Sequence, residues 1–112
     1  MENFDELKKV ASQVRRDVVR MVHSAGNGHP GGALGCADLF VLLYFKMMEH
    51  NKNFEMNGKG EDLFFLSNGH ISAVWYSTLA RAGYFVVTGG GPGIMEAANR
   101  GAYFSSYGEA AL

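Results

Sequence analysis

The sequence of 112 residues has a single cysteine, Cys36, so no internal disulfide can form. Such usage fits a reducing, cytoplasmic setting. Excess charge of one sign is also lacking. Ten Lys and Arg stand against eleven Asp and Glu, a formal net charge of -1, which leaves no basic footprint for nucleic acid or an anionic membrane. Long hydrophobic runs are absent too: the longest, Leu39 to Phe45, falls far short of the roughly 20 residues that cross a bilayer. The start, Met1-Glu2-Asn3-Phe4-Asp5, lacks the basic and then apolar pattern of a signal peptide. What is present is 47% hydrophobic residues, eight Phe and fifteen Gly, a composition that predicts one folded domain over residues 1–112.

Phe4, Leu7, Ala11, Val14, Val18 and Met21 recur at spacings of three and four, predicting an amphipathic helix from Phe4 to His23. The run Ser24 to Gly32 stops it as a long loop, because glycines and Pro30 continue a helix poorly. A second helix is expected from Cys36 or Ala37 to Glu49, apolar on every side and therefore buried. After a polar loop, Leu63-Phe64-Phe65-Leu66 reads as a buried strand. A third helix follows from Ile71 to Ala82, ended by Gly83 as a left-handed cap. Tyr84 to Thr88 reads as a second strand, and Ile94 to Ala102 as a fourth helix with Pro92 in its first turn. The tail Tyr103 to Leu112 suits either a third strand or a frayed end. Strand, helix and strand make a right-handed βαβ unit. The expected class is α/β, a small three-layer, Rossmann-like fragment of a doubly wound sheet with two or three mostly parallel strands and about four helices.

Three glycine-bearing clusters could carry chemistry. Gly26-Asn27-Gly28-His29-Pro30-Gly31-Gly32 either lets backbone approach a ligand beside a histidine donor or simply joins two helices. Ser67-Asn68-Gly69-His70 either offers free N–H groups to an anion or caps the following helix. Gly89, Gly90, Gly91 and Gly93, between a strand and a helix, form a generic phosphate-binding turn that departs from the Gly-x-Gly-x-x-Gly pattern. Cys36, His23, His29, His50 and His70 show no ligand spacing, so no metal site is expected.

From about Leu7 to Phe85 the chain closely resembles the start of a transketolase, through Arg16, Gly28-His29-Pro30-Gly31-Gly32, Leu63 to His70 and Tyr76-Ser77-Thr78-Leu79-Ala80. That resemblance implies a thiamine-diphosphate enzyme with magnesium, in which His29 and His70 line the cofactor's diphosphate and the reacting end of the sugar. The sequence contains no Gly-Asp-Gly segment with a downstream Asn, the family's magnesium-holding motif. From Val86 to Ala102, with Gly89-Gly90-Gly91-Pro92-Gly93, the chain instead resembles the first glycine-rich motif of cytokinin-activating nucleoside-monophosphate phosphoribohydrolases, the lysine-decarboxylase-like family. That family's second motif, Pro-Gly-Gly-x-Gly-Thr, does not occur.

Two half-motifs in one chain lead to the expectation of an engineered chimera: a folding scaffold with no catalytic activity and no cofactor, joined after Phe85. His29, His70, Gly89, Gly90, Gly91 and Gly93 would then be vestigial anion-binding positions. The alternatives are a weak phosphate or nucleotide module, or the N-terminal subunit of a split transketolase. Uncovered apolar faces of a few hundred Å² cost several kcal/mol at roughly 25 cal/mol per Å², so a homo-oligomer is expected.

Overall fold

The structure, a computed structural model, describes residues 3–51 and 57–88. Helix α1 spans Phe4–Ala25. It starts at Asn3, whose Oδ1 accepts from Asp5 N at 2.7 Å, and the acidic Asp5 and Glu6 face the positive end of the helix dipole. It stops at Gly26, which adopts φ 72°, a left-handed cap that only glycine takes cheaply. Leu7, Ala11, Val14, Val18 and Met21 are buried, as their spacing requires. Phe4 is not: it is 65% exposed, and Lys46 Nζ lies 5.7 Å from its ring centre.

The expected loop after α1 is shorter than its glycines suggest, because Pro30–Gly35 winds into a short helix, α2. Proline suits a first helical position, and the fully buried Ala33 holds the turn against the core. Helix α3 follows over Ala37–Leu42 and runs on as a π turn, Leu43–Met47. Its buried residues, Ala37, Phe40, Val41 and Tyr44, lie on one face. Leu39 and Met47 are 54% and 65% exposed, so this helix is not apolar-buried all round. A 3₁₀ turn, Gly69–Ile71, leads into α4, Ser72–Arg81, and Gly83 at φ 97° ends it.

The expected α/β class is overturned: the fold is helical, and the described residues contain no strand and no sheet. Leu63–Leu66 and Tyr84–Thr88 do not pair into a ladder, so neither the βαβ unit nor the Rossmann-like layering forms among them. Their side chains still alternate. Phe64, Leu66 and the buried Val86 pack on the helical core, whereas Phe65, Phe85 and Val87 are 84%, 67% and 78% exposed. Alternation records an extended backbone, but a strand also needs a neighbour for its N–H and C=O groups. The expected fourth helix, the tail and Gly89 to Gly93 lie outside the described residues.

Helix α1 packs against α2, α3 and α4, with the core centred on Val14, Val18, Phe40, Val41 and Val74. Three polar side chains are buried within that packing, Asp17, Ser77 and Thr78, and Asp17 is the charged one. Asp17 is 2% exposed, and its carboxylate accepts from Arg81 Nε and Nη2, each at 2.8 Å, from Ser77 Oγ at 2.8 Å and from Gln13 Nε2 at 3.1 Å. Four donors satisfy both oxygens, so the buried charge fastens α1 to α4 at a fixed register.

Candidate functional site

The two histidines singled out from the sequence come together. The His29 and His70 rings lie 4.7 Å apart, centre to centre, at 69° to one another. His29 is the residue before α2, in an extended conformation, with its side chain making no capping bond. His70 sits in the 3₁₀ turn, positioned by Asn68, whose Oδ1 accepts from the His70 N–H at 3.2 Å. Both side chains are exposed, and neither ring nitrogen bonds to another described residue. Two imidazoles at one solvent-facing point can donate to, or accept from, the oxygens of a single ligand.

What permits this approach is Gly32. A Cβ built there would stand 2.9 Å from Ile71 Cγ2, inside the distance real Cβ atoms tolerate, whereas one at Gly31 would meet nothing within 4 Å. The glycine pair therefore divides its work: Gly32 lets α2 close on the residue after His70, and Gly31 faces open space. Gly31→Ala is expected to hold or raise stability by up to about 1 kcal/mol through better helix propensity. Gly32→Ala must instead displace Ile71 and lower the melting midpoint. Thermal melts of the two variants side by side check the contrast, and equal behaviour would remove the role given to Gly32.

Other residues of the sequence patterns fall elsewhere. Arg16 lies on the exposed surface of α1, bonded to Ser12 Oγ at 3.1 Å and Gln13 Oε1 at 2.9 Å. Cys36 joins α2 to α3 as a free thiol. No group of three or more His, Cys, Asp or Glu among the described residues could hold a metal ion.

The sequence reading missed His50. Its Nε2 bonds to the Tyr44 carbonyl, which can only accept, so that nitrogen carries the hydrogen. Nδ1 pairs with the Tyr84 hydroxyl at 2.6 Å, while Trp75 Nε1 donates to the Tyr44 hydroxyl at 2.9 Å. Aromatic residues bracketing a loop histidine were the available signal, but their meeting depends on the π turn after α3. Burial pushes the Tyr44 phenol above its ordinary value of 10, against a smaller lowering by the Trp75 bond. The folded chain thus holds this proton more tightly than the unfolded chain. The stability it contributes is complete below about pH 10 and declines as pH rises through the folded value. Denaturation between pH 9 and 12 is expected to show that decline, and Tyr44→Phe to flatten it.

The sequence model of the family "Transketolase, thiamine diphosphate binding domain" matches residues 6–88. The chain belongs to this family. Among its relatives are a transketolase of Buchnera aphidicola subsp. Baizongia pistaciae, 40% identical over 78 residues, and transketolase 2 of Escherichia coli K12, 36% identical over 77; each match covers 69% of this chain and 11% of the relative. An apulose-4-phosphate transketolase subunit of Actinobacillus succinogenes is 32% identical over 83 residues, covering 73% of this chain and 30% of that relative. The chain thus spans a small part of the curated relatives it matches.

These findings correct several expectations. A designed, non-catalytic scaffold is overturned, because the relatives are natural proteins named for an enzyme. The same relatives overturn the engineered chimera, and nothing found supports a phosphoribohydrolase part. The expectation of no cofactor also fails, since the matched family is defined by thiamine-diphosphate binding. No helix among the described residues is long and apolar enough to cross a membrane.

Proposed function

We propose that this chain contributes the N-terminal part of a thiamine-diphosphate-dependent transketolase, with His29 and His70 holding oxygens of the cofactor's diphosphate and of the sugar's reacting end. The observation that carries this reading is the meeting of the two histidine motifs at 4.7 Å within the stretch that matches the family. Their chemistry fits: two exposed imidazoles free of other described partners suit anionic and hydroxyl oxygens. No group of three or more His, Cys, Asp or Glu for the accompanying magnesium ion is found among the described residues. When bound, thiamine diphosphate supplies a nucleophilic thiazolium carbon for making and breaking carbon–carbon bonds. This chain's share is positional: Asn68 fixes the His70 turn, Gly32 lets His29 approach it, and α1 with α4 hold both ends rigid. Calorimetric melts with thiamine diphosphate and magnesium test the reading. A midpoint that rises with ligand concentration supports it, and an unmoved midpoint at millimolar ligand counts against it.

A further inference from the structure

A cavity of about 590 Å³ opens on the chain and shares no described lining residue with the histidine pair. Its described walls include six aromatic side chains, Tyr44, Phe64, Trp75, Tyr76, Tyr84 and Phe85, with two carboxylates at Glu61 and Asp62. Four of the rings form one edge-to-face cluster: Tyr44 and Phe64 are 6.3 Å apart, Tyr44 and Tyr84 6.2 Å, and Phe64 and Trp75 5.7 Å. Loop contacts hold the carboxylates, Glu61 Oε1 accepting from Asn51 N at 2.7 Å and Asp62 Oδ2 from Glu49 N at 2.9 Å. Each bond uses one oxygen, leaving the formal charge in place. No Lys or Arg appears among the described lining residues, and Lys59 lines an adjoining hollow.

We infer that this cavity binds a small organic cation, a quaternary or methylated ammonium, through the aromatic walls and the charge of Glu61 and Asp62. Aromatic faces attract a soft cation through their quadrupoles, and the carboxylates of Glu61 and Asp62, with no Lys or Arg among the described lining residues, raise its local concentration. His50 also lines the cavity, where its ring is held by the Tyr44 carbonyl and the Tyr84 hydroxyl. Burial, then Tyr44 and Glu61, push the Tyr84 phenol up, so it remains a protonated, neutral wall. The inference stands apart from the transketolase reading, since it uses neither His29 nor His70.

Trp75 is the only tryptophan and lines the cavity, so its fluorescence reports on occupancy directly. The probes are choline and 3,3-dimethyl-1-butanol, its uncharged carbon counterpart of the same shape. Choline is expected to shift Trp75 emission saturably, and the uncharged alcohol to bind roughly tenfold more weakly. Glu61→Gln combined with Asp62→Asn, which retains both loop acceptors, is expected to weaken choline binding severalfold with the circular dichroism unchanged. Equal affinity for the two probes, no saturable response to choline, or full choline affinity in the double variant would each overturn the inference.

Discussion

Arg81→Leu is expected to destabilise the fold by about 3–5 kcal/mol, because it strands the Asp17 carboxylate in the core. The asymmetry of the pair sets that size. Asp17's side chain is 1% exposed and Arg81's 24%, so Asp17 cannot reach water when its partner is removed. Ser77 and Gln13 continue to donate, but neither carries charge. Arg81→Lys should cost less, because an ammonium restores the charge while losing the two-pronged bond. A loss of 3–5 kcal/mol is a large share of the 5–15 kcal/mol typical of a domain, and it lowers the melting midpoint by upwards of about 12 °C in a chain of this size. Converting both partners to apolar residues of similar volume should recover much of the loss, since no charge then remains buried. Urea denaturation of the single and double variants reads this directly. A cost under about 1 kcal/mol for Arg81→Leu, the range of a surface pair, would show that Asp17 is solvated.

Helix α1 was legible because its apolar spacing and its Gly26 stop are local properties. Asp17 was visible in the same pattern, three residues after Val14 and four before Met21 on the buried stripe, yet its meaning required Arg81 on a helix distant in sequence. Helix α2 was hidden for the opposite reason: glycines argue against a helix locally, and the burial of Ala33 and the fixed torsion of Pro30 outweigh them. At Leu63–Leu66 and Tyr84–Thr88, composition suggested strands, the first of them buried, yet Leu63 and Phe65 are exposed and neither segment has a pairing partner, which no short run of residues encodes. The site divides similarly. His29 and His70 stood out through their motifs and the family resemblance. The role of Gly32 depends on a single contact with Ile71 and could not be read from spacing. The scaffold reading failed because it weighted a glycine run near the end of the chain above the longer match that precedes it.

If the histidine pair holds the cofactor's oxygens, His29→Ala with His70→Ala should remove nearly all of the ligand-induced rise in melting midpoint. A hydrogen bond to a charged oxygen is worth about 1.5–3 kcal/mol, so losing both raises the dissociation constant by a factor of at least about 100. Ligand present at 100 times the native dissociation constant stabilises the native chain by about 2.7 kcal/mol, and the same concentration then gives the double variant only about 0.4 kcal/mol. The unliganded midpoint should barely move, because both side chains are exposed and outside the core. That separation distinguishes loss of binding from loss of fold. Rings 4.7 Å apart that grip one ligand should also be coupled, so the single variants are expected to sum to a different total from the double. A double variant whose midpoint still climbs with thiamine diphosphate as the native chain's does would place the diphosphate elsewhere on the surface.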